Sequence, residues 1–439
     1  MSANVSARPA VYLVAIEDIA QSPLIRGQVI ALLKAMAAQG APCPLALVAL
    51  YPMLNWWRHR GRLVTLRAEL AESGIAFHAW PIAFLTRYFY MPRPWLALYR
   101  IQAWLAALTI TASLRPVIIH CRSYPATLVG ALVKRLIGAR LVFDTRALYP
   151  EEGATLAEGG KSVLLDPTAF RVWKQIEAGL CREADATTVV SRPSAVILAE
   201  QYPDIVNRLI VAPTCTPVPS VEQLDVWRNE TRLKLGLTNK LVVAYAASWF
   251  EPQPTLGLFR QLLEACPQAN WHFLLLVSSR AQGQHQSAFE SFTALVPREL
   301  GPHTGCTVIA AAQTTVLQYL AGADLGAQPV GASERSQADP RYVLAAKTRL
   351  SVKFTEYLAA GLPVLTSRWA GAAADIVREH DLGVVYDEAS DAQLAAWLSR
   401  WQEARADFSA RAWQYAHEHF ALDSLARRYL NLYTRLLGS

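Results

Sequence analysis

Short runs of apolar residues alternate along the chain with segments whose apolar positions recur every three or four residues. The first pattern is typical of buried parallel strands and the second of amphipathic helices. Their repeated alternation predicts an α/β protein with parallel sheets. In the first half, the apolar runs predict strands near residues 11–16, 45–50, 117–120, 141–144 and 187–190, with helices such as 25–39 and 127–137 between them.

The pattern is interrupted near Pro213, Pro217 and Pro219, which fall within seven residues and suit an interdomain linker. A second α/β series follows, with strands expected near 241–246, 271–277, 308–310 and 364–366, and residues 394–437 are almost wholly helical in pattern. A chain of 439 residues is long enough for two domains. We therefore expect one domain over 1–212, completed by about 410–439, and a second over 213–409.

Residues 353–365 pack a short helix, a glycine stop and a buried strand into one segment. Gly361 can adopt the left-handed conformation that ends a helix, and Pro363 prevents its continuation. Lys353 and Glu356 lie three apart on one helical face near the helix start. A carboxylate there can accept hydrogen bonds from a ribose diol, and helix-start N–H groups with a lysine can hold phosphate. A surface ion pair on an ordinary amphipathic helix is the alternative.

Composition narrows the class of protein. The chain is 53% hydrophobic and 18% charged, so it can bury a large core. No apolar run reaches the ~18 residues of a membrane-spanning helix, and no signal core precedes Val11. Six scattered cysteines without a Cys-x-x-Cys pair indicate neither a zinc site nor a disulfide framework. We expect a cytoplasmic protein.

The net charge of +7 is concentrated in residues 1–105, which hold ten Lys/Arg and four Asp/Glu. Within them, segments 54–62 and 86–95 mix tryptophan, tyrosine and phenylalanine with arginine. These residue types favour an anionic membrane surface, which leaves peripheral attachment to the cell membrane as a possibility. The same pattern is explained nearly as well by aromatic side chains that are buried in the core, next to a basic face that is exposed to solvent. A nucleic-acid surface, which uses the same residues, is the weakest of the three.

Residues 353–364 resemble the nucleotide-sugar site of family-4 glycosyltransferases, whose pattern is Lys-x-x-Glu-Tyr-x-Ala-x-Gly-x-Pro-Val. Segments 22–29, 117–124, 142–146, 241–249 and 423–437 are similar to further parts of that family in order and spacing. The resemblance implies the GT-B fold: two Rossmann-like α/β domains facing across a cleft, with the C-terminal helix crossing back to the first. It also implies a retaining, metal-independent transferase of polysaccharide or other surface-glycan synthesis.

The resemblance further implies roles for individual residues. In the second domain Glu356 would bind the ribose, Lys353 would act on the diphosphate with Lys347 nearby, and Ser248, Trp249 and Gly361 would complete the donor site. In the first domain Asp144 and Arg146 would lie near the reacting sugar, although a local ion pair explains them equally well. Ser22, Arg26, Gly27 and Arg122 would face the acceptor and diphosphate. No Asp-x-Asp motif is present, so no metal or other cofactor is expected beside the UDP- or GDP-linked donor.

The chain departs from the family pattern where a second glutamate is common, since Thr348 stands there, and it lacks an Arg…Lys pair after Trp249. These departures keep two other functions open. One is a non-catalytic partner subunit of a transferase, which donor turnover by the purified chain would exclude. The other is a nucleotide-sugar epimerase, which would convert the donor without an acceptor. Sugar, base, acceptor and oligomeric state are not specified by the sequence.

Overall fold

The computed structural model describes residues 8–83, 90–155, 165–247, 252–278, 294–296, 298–301, 304–312 and 314–438. The chain divides into two compact units. The first comprises Met1–Pro213, Arg335–Thr348 and Leu422–Ser439, and the second comprises Thr214–Glu334 and Arg349–Ala421. The sequence analysis had assigned 335–348 to the second domain, whereas the structure packs this segment on the first unit.

The first unit is built on a seven-stranded parallel sheet with the order β3-β2-β1-β4-β5-β6-β7. All residues of β1 and β2 are buried, as expected for parallel strands covered on both faces. The strands are β1 (Ala10–Ala15), β2 (Leu45–Pro52), β3 (Ala76–Ile82), β4 (Ile118–Arg122), β5 (Arg140–Asp144), β6 (Ala186–Val189) and β7 (Leu209–Val211).

The second unit repeats this order in a six-stranded parallel sheet, β10-β9-β8-β11-β12-β13. In both sheets the chain starts at a central strand, builds outward to one edge, and returns to build toward the other edge. The strands are β8 (Leu241–Ala247), β9 (Trp271–Ser278), β10 (Gly305–Ala311), β11 (Leu325–Gln328), β12 (Val364–Thr366) and β13 (Gly383–Val385).

Helices connect the strands. In the first unit they are α1 (Pro23–Ile25), which continues through a π-helical segment (Arg26–Ile30) into α2 (Ala31–Ala38), then α3 (Met53–Arg58), α4 (Arg60–Ala71), α5 (Arg93–Ser113), α6 (Ser123–Ile137), α7 (Tyr149–Thr155), α8 (Pro167–Glu183), α9 (Arg192–Gln201) and a 3₁₀ helix (Pro203–Arg208). The later helices are α10 (Val221–Lys234), α11 (Pro252–Ala265), α12 (Val316–Ala321), α13 (Glu334–Gln337), α14 (Pro340–Thr348), α15 (Val352–Ala359), a 3₁₀ helix (Arg368–Ala370), α16 (Ala372–His380), α17 (Asp391–Glu403), α18 (Arg405–His419) and α19 (Leu422–Gly438).

All nine predicted strands are present, with ends shifted by no more than a few residues. The sequence analysis missed β3, β7, β11 and β13. Strands β7, β11 and β13 have three or four residues, too few for a readable period, and β3 carries Pro81 near its end. The predicted α/β two-domain fold is confirmed.

The C-terminal helix α19 belongs to the first unit and packs against α2, as the predicted fold requires. Its Tyr433 hydroxyl lies 2.9 Å from Nδ1 of His120 on β4. Burial lowers the pKa of His120 to about 4, so this imidazole is neutral at physiological pH. A neutral ring inside the core can bond Tyr433 without the cost of a buried charge.

Candidate donor and acceptor sites

The strand order of each sheet locates its candidate site. Ligands of open α/β sheets bind beyond the carboxyl ends of the strands, where the order reverses direction. In the first unit this switch point lies between β1 and β4, and in the second between β8 and β11. Residues that follow these strands are therefore the ones expected to line a ligand site in each unit.

Arg122 ends β4 and lies beside the β1 loop at the first switch point. Its Nε donates to Oε1 of Glu17 at 3.1 Å, and its Nη2 donates to Oε1 of Gln28 at 2.8 Å. Burial alone would lower the pKa of this guanidinium, but the negative charge of Glu17 helps to raise it. Arg122 is thus a fixed positive charge at the carboxyl end of the sheet.

Asp144 ends the neighbouring strand β5 and is 1% exposed. The Thr188 hydroxyl donates to its Oδ1 at 3.0 Å, and the Tyr12 hydroxyl donates to its Oδ2 at 3.3 Å. Nη1 of Arg146 lies 3.8 Å from Oδ2. A carboxylate enclosed in this way positions the groups around it, which agrees with the local ion-pair interpretation of Asp144 and Arg146.

Arg146 adopts a left-handed backbone conformation with φ 60°, which is uncommon outside glycine. This conformation is compatible with a side-chain contact from Nη2 to Oε1 of Gln28 at 2.9 Å. One amide oxygen therefore accepts hydrogen bonds from both Arg122 and Arg146. The sequence analysis predicted both arginines but missed Gln28, which is buried in the π-helical segment.

The three predicted loop residues before α2 have mainly local roles. The Ser22 hydroxyl accepts from the Ile25 amide at 3.5 Å and caps α1, so the helix-cap interpretation of Ser22 holds. Gly27 lies within the π-helical segment Arg26–Ile30. Arg26 forms an exposed ion pair with Glu69 of α4 at 2.8 Å, which directs its side chain to that helix.

A polar cluster that the sequence did not predict lies at the ends of β1 and β2. The Tyr51 hydroxyl contacts Asp18 and lies 3.0 Å from Nδ1 of His59, while the Gln21 amide contacts Nε2 of the same ring. Asp18 and Gln21 lie in the loop between β1 and α1, and His59 joins α3 to α4. This cluster fixes the loop that carries Glu17 toward Arg122.

In the second unit, α15 carries Lys353 and Glu356. The Ser351 hydroxyl accepts from the Lys353 amide at 3.2 Å and caps the helix. Burial lowers the pKa of Lys353, and the negative charge of Glu356 opposes this shift. Burial raises the pKa of Glu356 to about 7, and the positive charge of Lys353 opposes that shift in turn. Glu356 is buried and Lys353 is half-buried, which argues against a pair on an open helix surface.

Glu356 is 7% exposed, yet no group of the described residues donates a hydrogen bond to its carboxylate. Buried carboxylates are normally satisfied by several donors. This carboxylate retains its acceptor capacity, as a residue does when its donors come from a ligand.

Tyr357 holds the same helix against the second switch point. Its hydroxyl accepts from the Ala246 amide of β8 at 2.8 Å and donates to the Ala327 carbonyl of β11 at 2.9 Å. The phenol thus bridges two strands whose pairing ends at Gly326. A Cβ on Gly326 would lie 2.6 Å from the Tyr357 ring, so this close approach requires glycine.

The structure describes two of the other four predicted donor residues, Gly361 and Lys347. Gly361 lies beyond the opposite end of α15, about 12 Å of helix away from Lys353, where its φ of 71° ends the helix. Lys347 is exposed on α14, which belongs to the first unit. The carbonyl of the adjacent Thr348 accepts from the Ser191 hydroxyl at 2.9 Å, which anchors that segment. Ser248 and Trp249 lie outside the described residues.

Neither candidate site offers a metal centre in the part of the chain that the structure describes. There, no three His, Cys, Asp or Glu side chains converge in a way that could hold an ion. Positive charge is carried by Arg122 and Arg146 in the first unit and by Lys353 in the second.

Residues 28–214 match the family model described as the glycosyl transferase 4-like domain, a range that falls almost entirely in the first unit. A search of curated proteins found no match. Among solved structures, sucrose-phosphate synthase from Thermosynechococcus elongatus is 15% identical, covers 98% of this chain and 99% of its own, and has a TM-score of 0.66. A glycosyltransferase from Rickettsia africae is 13% identical, with 98% and 99% covered and a TM-score of 0.65. HepE from Anabaena, in complex with UDP and glucose, is 14% identical, with 98% and 100% covered and a TM-score of 0.61.

Proposed function

We propose that this chain, which carries a glycosyl transferase 4-like domain and has the GT-B fold, transfers a sugar from a nucleotide diphosphate donor to a hydroxyl group. The observation that carries the proposal is the buried Glu356 carboxylate, which lacks a hydrogen-bond donor among the described residues and lies one turn from Lys353. A ribose diol supplies two donors for such a carboxylate.

The donor site is assigned to the second unit. Glu356 accepts the ribose hydroxyls, and Lys353 neutralises charge that grows on the leaving diphosphate as the glycosidic bond breaks. Burial strengthens this electrostatic effect because the surroundings screen the lysine charge less than water does. HepE from Anabaena, which shares the fold, has been solved with UDP-glucose. That complex supports a UDP-linked sugar as the first donor to test.

The acceptor side is assigned to the first unit, where Arg122 and Arg146 lie at strand ends and share Gln28 as a hydrogen-bond acceptor. Retention of anomeric configuration is proposed, with attack from the face that the diphosphate leaves and with the leaving phosphate taking the acceptor proton. This course needs no protein nucleophile, and positioned cations replace a metal ion. A lipid-linked or surface glycan is the proposed acceptor, on the resemblance of residues 353–364 to transferases of that type.

A thermal-shift screen of the purified chain with UDP, GDP, ADP and their sugar conjugates tests the donor assignment. A ligand at 100 times its Kd stabilises the folded state by about 2.7 kcal/mol, which a melting curve resolves. No shift with any nucleotide would contradict the proposal. Turnover of the selected donor then separates the alternatives: conversion without an acceptor identifies an epimerase, and binding without turnover identifies a partner subunit.

A further inference from the structure

Helix α5 of the first unit presents a continuous apolar stripe to solvent. Leu98, Ile101, Trp104, Leu105 and Leu108 recur at helical spacing and are between 39% and 63% exposed. Isolated exposed apolar residues are common on protein surfaces, but five on one face of one helix form a contiguous patch.

The opposite face of α5 is also apolar. Leu96, Tyr99, Ala103, Ala107 and Ile110 are at most 4% exposed and belong to the core of the first unit. At 100° per residue, the centres of the buried and exposed stripes lie roughly on opposite sides of the helix. A helix that is apolar all round is expected in a protein core or in contact with lipid. The buried stripe already packs against the core of the unit. The exposed stripe therefore requires an apolar partner of its own.

The charges near this stripe have one sign. Helix α5 contains no acidic residue, and its two charged residues, Arg93 and Arg100, are both exposed along one border of the stripe. No helix in the described part of the chain is long and apolar enough to cross a membrane. An apolar face with an arginine border and a tryptophan is the composition of a helix that lies in the plane of a lipid interface.

Helices α3 and α4 add a second group of the same character. Leu54 and Trp57 are 51% and 68% exposed and are followed by the exposed residues Arg58, Arg60 and Arg62. Both helices pack on the edge strand β3, and the Ala83 amide just after β3 donates to Gln102 of α5 at 2.9 Å. Right-handed connections place α4 and α5 on opposite faces of the sheet, so this second group is separate from the α5 stripe.

The aromatic side chains of segments 54–62 and 86–95 differ in their exposure to solvent. Trp57 and Trp95 are exposed, whereas Trp56 donates to the Ala79 carbonyl and Tyr90 donates to Glu152, so both are held within the unit. Tyr88 and Phe89 lie outside the described residues. The apolar part of the surface is thus carried mainly by α5, which the sequence analysis had not considered.

We propose that the outward face of α5 docks the protein on the surface of an anionic lipid bilayer. The aliphatic side chains enter the boundary between headgroups and acyl chains, and the arginines bind lipid phosphates. A second copy of the chain is a poorer partner because a two-fold contact pairs α5 with α5, which has no acidic residue to meet the arginines. The proposal concerns attachment and does not depend on the reaction.

Co-sedimentation with vesicles tests this proposal. The purified protein is mixed with phosphatidylcholine vesicles, and with the same vesicles containing about 30% phosphatidylglycerol, at low and at physiological salt. We expect binding to the anionic vesicles that salt weakens but does not abolish, because the apolar contribution is not screened. The variant Ile101→Gln/Leu105→Gln/Leu108→Gln should bind about tenfold more weakly or worse.

The matched control is Val221→Gln/Val226→Gln/Leu233→Gln, which removes three exposed apolar residues from α10 of the second unit. It should bind vesicles like the wild type. Both variants should keep the melting temperature and the nucleotide-induced shift of the wild type, so a failure of the donor assignment would be seen separately. Wild-type protein that stays in the supernatant with anionic vesicles at low salt would overturn the proposal. So would a dimer that the α5 variant dissociates while vesicle binding is unchanged.

Discussion

Lys353 and Glu356 lie one turn apart on α15, and each opposes the pKa shift that burial imposes on the other. Burial raises the pKa of Glu356 to about 7, so the charge of this carboxylate is sensitive to its surroundings at physiological pH. A nucleotide diphosphate would supply donors to the carboxylate and negative charge to the lysine.

Glu356→Gln should weaken binding of the nucleotide sugar about tenfold or more, because a charged acceptor contributes roughly 1.5–3 kcal/mol per hydrogen bond. Calorimetric titration with the donor found in the thermal-shift screen measures this loss. Glu403→Gln, an exposed change at the end of α17 in the same unit, should leave the affinity unchanged. Equal affinities in all three proteins would show that Glu356 does not bind the ribose.

The affinity for the nucleotide sugar should depend on pH through Glu356. Its pKa is raised to about 7, so below that value the protonated carboxyl is a weaker acceptor and affinity should fall as pH decreases. The two phosphates of a nucleotide sugar carry no group that titrates between pH 6 and 8, which isolates the effect of the protein. Titrations across this range should show the decrease in the wild type and a flatter profile in Glu356→Gln. A flat wild-type profile would contradict the assignment.

Lys353→Ala should lower kcat more than it raises the Kd of the donor, because charge on the diphosphate is greatest in the transition state. Steady-state kinetics and calorimetry on the same folded preparation compare the two effects. Lys234→Ala changes an exposed lysine of α10 and serves as the control. Wild-type kcat in the Lys353 variant would remove this lysine from the reaction.

Gln28→Leu should destabilise the first unit by about 1–3 kcal/mol, because Arg122 and Arg146 lose a shared acceptor while both remain largely buried. Transfer activity should fall with it, since the arginines are no longer held in place. Chemical denaturation and activity assays are compared with Gln175→Leu, an exposed change on α8 of the same unit. Unchanged stability and activity would mean that the shared contact positions nothing.

Transfer should continue in the presence of EDTA, because lysine and arginine side chains supply the positive charge that a metal ion would otherwise provide. Initial rates with and without the chelator give the answer. Loss of activity that a divalent ion restores would show that the diphosphate requires a metal ion.

The sequence by itself determined most strands of the fold, and it predicted the Lys353–Glu356 pair of the proposed donor site. Apolar runs predicted nine strands because burial on both faces of a parallel sheet needs consecutive apolar residues. The motif at 353–364 predicted a helix start, a helix stop and a buried strand, which are properties of neighbouring residues. Lys353 and Glu356 were identified in the same way, since a three-residue spacing places them on one helical face.

The tertiary structure decided which distant side chains meet. Gln28 joins arginines that are 94 and 118 positions away, and no local pattern marks it. Lys347 is six positions from Lys353 in sequence, yet packing assigns the two residues to different units. Helix α5 has an apolar sequence on both faces, and only the sheet determines which face is covered. Local periodicity indicates that a side chain is buried. Strand order and long-range packing determine which residues it is buried against.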